Sequence, residues 1–346
     1  MPVYRLALLG FGNVGRALAR LLLEKRPDLQ THYNLDFIIT GIMTGRHGGA
    51  LAPKGLDLTH ALDLAERGAS LNDLSTEPPP ADGLDFVQRV QADVLFESIP
   101  VNYESGQPAL TYLESALRRR MHAVTANKGP VVHGYQHLRA LAQQHGVRFL
   151  FESAVMDGAP VFALHAYGLP AARVTALYGI LNSTTNLILT RMEEKGETFE
   201  EALAYAQRIG IAETDPSGDV DGWDAAIKLA ALVTVYMGVP MTPQQVLRWG
   251  IRDLTPDDIM AARRQGKRWK LVCSARRLTN GRVEARVEPQ MVGPESPLYG
   301  VRGTSAILQI ETDTLGTLSL REDNPTPRTT AYGLLADWLR AIGVVP

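Results

Sequence analysis

Cysteine occurs once, at Cys273, which excludes an intrachain disulfide and a cysteine metal cluster. A lone thiol of this kind reads as a small, buried, apolar side chain. Long hydrophobic runs are also missing. The longest, "LAALVTVYMGV", falls well short of the ~18 residues that a membrane span needs. The first, "LALLGFG", ends in glycines without a small-residue cleavage site, so no signal peptide is read. Charge of one sign is not in excess: 35 Lys and Arg face 37 Asp and Glu, for a formal net charge of −2. No block of five like charges occurs, and nothing favours a nucleic-acid or polyanion partner. Repeats are absent, and the one low-complexity scrap, "EPPPAD" at 77–82, reads as a loop. These absences lead to the expectation of a soluble, cytoplasmic protein with no membrane and no nucleic-acid partner.

What is present is an ordinary globular chain of 346 residues, 45% of them hydrophobic, long enough for two domains. The first half alternates strand and helix. "VYRLALLG" is a nearly continuous apolar run, as a buried parallel strand should be, and "VGRALARLLLEKR" switches to helical period. "LDFIITGIM", "ADVLFES", "HAVTANK" and "RFLFESA" read as further strands, with helices in "QPALTYLESALRRR" and "YQHLRALAQQHG". Such alternation predicts a doubly wound parallel sheet. The middle differs. "RVTALYGIL" reads as a strand and "STTNLILTRMEEKG" as a helix closed by Gly196. The next helix opens on a capping box, Thr198 with Glu201. "KLVCSARRLTNGRVEARVEPQMV" reads as a hairpin about an Asn-Gly turn, and "TTAYGLLADWLRAIG" as a closing helix.

"GFGNVG" places Gly10, Gly12 and Gly15 at the spacing of a dinucleotide fingerprint. It follows one predicted strand and opens a helix, which is the context the motif requires. The first glycine permits a tight turn, the second lets backbone approach a pyrophosphate, and the third lets helix and strand pack. The helix N-terminus favours the phosphate charge. At the end of the second strand an acid would bind the adenosine ribose. The sequence offers "GIMTGRHGG" instead, with Thr44, Arg46 and His47, a loop suited to a 2′-phosphate. The reading leans to NADP and leaves NAD open. "ESIPVN", "TANKGPV" and "ESAVMDGAP" each follow a predicted strand, so Ser98, Lys128 and the loop after Glu152 should border the same crevice. Lys128, between Asn and Gly-Pro, is expected in a fixed turn.

Residues 213–232, "ETDPSGDVDGWDAAIKLAAL", crowd Glu213, Asp215, Asp219, Asp221 and Asp224 against a helix that is otherwise apolar except for Lys228. Asp221 is a good N-cap, with Asp224 at the third position. Asp224 and Lys228 stand four apart, on one face of the helix. A helix apolar nearly all round is usually interior, and a buried lysine needs a partner and can serve as an acid or base. Spacing alone leaves three readings open: a catalytic pair, a capping acid, or an exposed bridge.

Together "GFGNVG", "VTANKGPV", "GILNSTTNLILTRMEEKG", "FEEALAYAQRIGIAETDPSGDVDGWDAAIKLA" and, more loosely, "TPRTTAYGLLADWLRA" resemble homoserine dehydrogenase, in that family's order and over most of the chain. The resemblance implies an α/β fold with a Rossmann-type, doubly wound parallel sheet over 1–151, completed by a C-terminal helix within 326–346. An α+β catalytic and dimerisation domain would fill 152–325, making a homodimer of the short form, without a C-terminal regulatory domain. It implies reduction of L-aspartate 4-semialdehyde to L-homoserine, in threonine and methionine biosynthesis, with NADP or NAD.

By resemblance, Lys228 is the lysine of proton transfer, and Lys128 lies beside nicotinamide and substrate. Glu213 and Asp224 are the acids that hold the substrate, through its ammonium, with Gly210 offering backbone. Asp215 and Asp219 order the loop or line the site, and Asp219 is counted with the substrate-binding positions. Gly10, Phe11, Gly12, Asn13, Val14, Gly15, Thr44, Arg46, Ser98 and Lys128 are expected on the cofactor. The family's cation loop implies a sodium ion on the carbonyls of Glu152, Val155, Asp157 and Ala159. Two departures stand out. Met156 and Asp157 replace small residues in that loop, and "REDNPTPRTT" replaces a glycine-rich stretch that lies against the cofactor. The departures keep open a relative acting on another small amino or hydroxy aldehyde. A dinucleotide-binding protein without catalysis is the reading from another class.

Overall fold

The computed structural model describes residues 1–345; Pro346, the end of the expected 326–346 segment, lies outside the described residues. The chain divides into two compact units, one of residues 1–163 with the segment from Thr326 onward, the other of Leu164–Pro325. Among the described residues no helix is long and apolar enough to cross a membrane.

The first unit holds strands β1 (Val3–Leu9), β2 (Asp36–Met43), β3 (Gly49–Leu51), β4 (Val94–Glu97), β5 (His122–Thr125) and β6 (Phe149–Leu150). They form one sheet in the order β3-β2-β1-β4-β5-β6, parallel throughout except for the β2–β3 pair. Helices α1 (Asn13–Tyr33), α2 (Leu58–Glu66), α3 (Gly83–Arg89), α4 (Ala109–Arg118) and α5 (Lys128–His145) connect them, followed by a single turn, α6 (Val161–Ala163).

Alternation within β1 builds two cores. Leu6 and Leu8 pack with α1 and α2 on one face, and Ala7 and Leu9 with α3 on the other. Every one of these four side chains is at most 2% exposed, as a strand buried on both faces requires. The C-terminal helix, Pro327–Ala341, completes the first face. Its fully buried Trp338 meets Tyr4 and Phe37 edge-on, with ring centroids 6.1 and 6.0 Å apart, worth about 1 kcal/mol per pair beyond burial. The parallel register aligns Leu9 with Met43 and with Glu97, and Glu97 with Thr125. The loops after β1, β2, β4 and β5 therefore share one edge of the sheet, and the order reverses at β1, where such sheets bind ligands.

The second unit holds β7 (Val174–Ile180), β8 (Leu247–Arg248), β9 (Arg268–Arg277), β10 (Val283–Val292), β11 (Ala306–Thr312) and β12 (Gly316–Glu322), in the order β12-β11-β7-β9-β10-β8. All pairs are antiparallel except β8–β10. The helices are α7 (Ser183–Lys195), α8 (Phe199–Arg208), the short α9 (Ser217–Val220), α10 (Trp223–Tyr236) and α11 (Pro256–Arg264). The Thr198–Glu201 capping box and the left-handed Gly196 cap form as expected, as does the β9–β10 hairpin. Helix α10 is buried almost all round and packs on β9 and β10. Away from it, Tyr178, Arg276, Glu284, Arg286, Gln309 and Glu311 line a shallow open depression on the sheet.

Candidate active site

In the first unit, each fingerprint glycine has a separate physical reason. Gly10 adopts φ 103°, and a Cβ there would lie 2.7 Å from the Ser98 carbonyl group. A Cβ on Gly15 would lie 2.2 Å from the Gly10 oxygen, so α1 can reach β1 only without one. Gly12 caps α1 with an ordinary φ of −78°, and a Cβ there would meet nothing within 4 Å. That open space at a helix N-terminus is what a pyrophosphate can occupy. Phe11 and Val14 turn their side chains into the core, which leaves their backbone for a ligand, whereas Asn13 is exposed and its carboxamide oxygen accepts from Arg16. Ser98 Oγ donates to the Gly10 carbonyl at 3.2 Å, so the loops after β1 and β4 are joined. Thr44 is occupied by its own turn: its hydroxyl accepts from His47 N at 2.7 Å and donates to Gly48 O at 2.9 Å. Arg46 is exposed.

Lys128 does not sit in an isolated turn. It is the first residue of α5, whose N-cap Asn127 accepts from Gly129 N at 3.0 Å. Proline is tolerated in a first helical turn because its missing N–H has no partner there, so "NKGP" starts a helix. Beneath this cap lies Glu97, fully buried, which the sequence reading passed over. It accepts from Ile99 N at 2.8 Å, from the Thr125 hydroxyl and from Asn127 Nδ2. It thus ties the Ser98 loop to the start of α5.

Burial pushes the Glu97 carboxyl up to about 7, against the pull of those donors. The folded chain then keeps a proton that the unfolded chain has released, so stability falls as pH rises from the ordinary 4.5 through about 7. Asp337, lifted to about 7 by burial and then by the charge of Glu152, acts with the same sign. Glu97→Gln is expected to flatten part of this slope, raising the melting temperature relative to wild type at about pH 8 and not at about pH 5. Thermal melts at both values check it.

The loop after β6 belongs to the first unit. The Glu152 side chain accepts from Phe162 N at 2.6 Å and Ala163 N at 2.9 Å and pairs with Arg340 at 3.0 Å. Met156 and Asp157 both take left-handed backbone, φ 55° and 50°, a cost that glycine would avoid. The Asp157 carboxylate accepts from the Thr330 hydroxyl at 2.6 Å, which ties the loop to the C-terminal helix. Val155 is fully buried, and the Ala159 carbonyl accepts from Val161 N at 2.7 Å. Among the described residues no group of three or more His, Cys, Asp or Glu side chains could hold a metal, so a cation here would rest on main-chain oxygens. Pro327, in the departing C-terminal stretch, lies with Asn13 and Arg16 along the flank of α1.

In the second unit the acids and the lysine converge. Lys228 Nζ lies 2.9 Å from Asp224 Oδ2 and donates to Leu181 O at 2.9 Å. The two side chains are 16% and 9% exposed, so the pair is nearly dry yet reachable. Asp219 reaches the same place from α9: one amide nitrogen, Asn182 Nδ2, donates to Asp219 Oδ1 at 2.7 Å and Asp224 Oδ2 at 2.9 Å. Burial, and then the neighbouring charge of Asp224, push the Asp219 carboxyl up, while Asn182, Thr184 and Lys228 pull it down.

Asp221 is not the helix cap. Gly222 takes that position with φ 80°, and Asp221 pairs with Arg252 instead. Gly210, φ 76°, ends the turn after α8. Glu213 is exposed, unlike Asp224, and its backbone carbonyl accepts from Gln207 Nε2. Thr184 Oγ1 donates to Ile211 O at 3.3 Å and holds the Gly210–Glu213 loop to the start of α7.

Two family models match the chain, one described as homoserine dehydrogenase over residues 160–339 and one as the homoserine dehydrogenase NAD-binding domain over residues 10–152. The NAD(+)-dependent homoserine dehydrogenase of Pseudomonas canavaninivorans is 36% identical, the match covering 97% of this chain and 96% of that one. The homoserine dehydrogenase of Methanocaldococcus jannaschii is 35% identical, over 95% and 96%. A hyperthermophilic archaeal homoserine dehydrogenase solved in complex with NADPH is 28% identical, with a TM-score of 0.83 and 99% of each chain covered.

Proposed function

The chain belongs to the homoserine dehydrogenase family of NAD(P)-dependent oxidoreductases, and from that membership we propose that it reduces L-aspartate 4-semialdehyde to L-homoserine, with Lys228 delivering the proton. The observation that carries this is the Lys228 ammonium, held 2.9 Å from both Asp224 Oδ2 and Leu181 O on a helix otherwise buried. A bound nicotinamide supplies the hydride to the aldehyde carbon. Lys228 then has one task, to give a proton to the aldehyde oxygen as it becomes an alkoxide, and to take it back in the reverse direction. Asp219 and Asp224 offer negative charge to the substrate ammonium, with Glu213 and the Gly210 backbone at the rim. The protein contributes orientation as well as the proton.

This division of labour predicts discrimination. With an oxidised dinucleotide, homoserine should be turned over saturably, and the analogue lacking its amino group should lose about a hundredfold or more in kcat/KM. Equal turnover of the two would remove the ammonium-binding role of the acids. A panel in which homoserine is far from the best substrate would favour another small amino or hydroxy aldehyde, the reading that Met156 and Asp157 motivate.

NADP is the proposed preference, because β2 ends without an acid and Arg46 is exposed beyond it. Arg46→Ser should raise KM for NADPH about tenfold and leave NADH nearly unchanged; an equal effect on both would place the 2′-phosphate elsewhere. Main-chain oxygens are the hard donors that suit a sodium ion, and the carbonyls of Glu152, Val155, Asp157 and Ala159 would hold one, stiffening the loop. The open sheet face lined by Tyr178, Arg276 and Glu311 supports a homodimer. The reaction itself belongs to amino-acid biosynthesis, feeding threonine and methionine, in the cytoplasm.

A further inference from the structure

We propose that Asn182 is a positioning residue whose amide holds Asp219 and Asp224 side by side as one anionic seat for the substrate ammonium, a role that rests on the homoserine reading above. Asn182 is 3% exposed, and both polar atoms of its side chain are committed. Its Oδ1 accepts from Thr185 N at 2.8 Å and from Thr185 Oγ1 at 2.8 Å, which is the N-cap of α7. That fixes the orientation of the carboxamide, since only the oxygen can accept from a backbone N–H. The nitrogen must therefore face the acids, one N–H to each, at 2.7 and 2.9 Å.

An ordinary N-cap needs only the oxygen. Aspartate or serine would serve the helix as well, but neither could donate to two carboxylates. The preceding residue completes the arrangement, because Leu181 O accepts from Lys228 Nζ. Two consecutive residues at the β7–α7 junction thus hold the proton donor and both acids.

The charged and titratable groups facing this point are Asp219 from α9 and Asp224 and Lys228 from α10. From β9 comes the Cys273 thiol, which burial pushes up to about 12 and so keeps neutral. Two carboxylates this close repel each other's ionisation, and Asn182 with Thr184 and Lys228 works against that on Asp219.

The test uses Asn182→Asp and Asn182→Ser in the full chain, both of which keep an N-cap oxygen. Homoserine KM should rise about tenfold or more, as expected for loss of hydrogen bonds to charged groups, with the dinucleotide KM unchanged. The acid limb of kcat/KM for homoserine should move up by about one pH unit. So should the titration of the aspartate carboxyls, read by carbon-13 NMR in wild type and variant. If Asn182→Asp fails to fold, with three carboxylates together, Asn182→Ser carries the measurement. A folded Asn182→Ser protein with unchanged homoserine KM, pH profile and aspartate titration overturns the proposal. The NMR titration needs no turnover. A wild type that rejects homoserine would sink the functional reading, while the titration still decides whether Asn182 sets the charge of the two acids.

Discussion

Replacing Lys228 with alanine is expected to lower turnover about a thousandfold, the upper part of the range for a lost general acid, while the dinucleotide KM stays within about twofold. The reason is the isolation of its position. Helix α10 carries Asp224 and Lys228 as its two charged residues, and within the second unit the Lys228 ammonium is aimed by Leu181 O and Asp224 Oδ2. Water can replace the proton in principle, but not the aim. Removing the cation also takes the opposite charge away from Asp224, which is largely buried, and that costs stability. Asn182 Nδ2 still donates to Asp224, so the loss should stop short of unfolding. Lys228→Met, which keeps the stem, separates the two effects: its melting temperature should lie above that of the alanine variant, with turnover equally low. A folded Lys228→Ala enzyme with near-normal turnover would remove the proton-transfer assignment.

The second large effect concerns Gly12. Gly12→Val should weaken dinucleotide binding about a hundredfold and change the melting temperature of the dinucleotide-free protein by no more than a degree or two. Gly12 has an ordinary φ and open space where a Cβ would stand, so the folded chain accepts the side chain and only a ligand would object. The contrast lies with its neighbours. Gly10 has φ 103° and Gly15 would place a Cβ 2.2 Å from Gly10 O, so valine at either should destabilise the unit itself. Titration of the dinucleotide by fluorescence, beside thermal melts of all three variants, checks the separation. A Gly12→Val protein that binds as the wild type does would mean that the pyrophosphate lies elsewhere.

The sequence made some of this legible for reasons that are local. The fingerprint is six residues long and bounded by a strand and a helix, so its context could be judged without the rest of the fold. Asp224 and Lys228 are one helical turn apart, and periodicity alone puts them on one face. What escaped the sequence was either long-range or a matter of competing rules. Asn182 lies 42 residues from Asp224, and nothing local ties them, although "NSTT" before an apolar run was readable as an N-cap. Glu97 looked like the last residue of a strand, and only the packing of β5 and the Asn127 cap reveals a buried acid with three donors.

Asp221 had the right side chain for a cap, but Gly222 could take the left-handed backbone that the turn between α9 and α10 needs. That freed Asp221 for Arg252. Lys128, between Asn and Gly-Pro, reads as a turn residue in the sequence, yet the first turn of a helix is where proline fits. The acids of residues 213–224 accordingly part company. Asp219 and Asp224 share an amide, Asp221 serves an arginine, Asp215 accepts from Ser217 N in its own turn, and Glu213 stays exposed.

The most direct measurement is a rate assay of the purified chain with L-aspartate 4-semialdehyde and, in parallel, NADPH and NADH. The account predicts saturable, semialdehyde-dependent oxidation of the dinucleotide with homoserine as product, faster at low concentration with NADPH, and abolished in Lys228→Ala. Tight dinucleotide binding with no homoserine formed from either dinucleotide would contradict it.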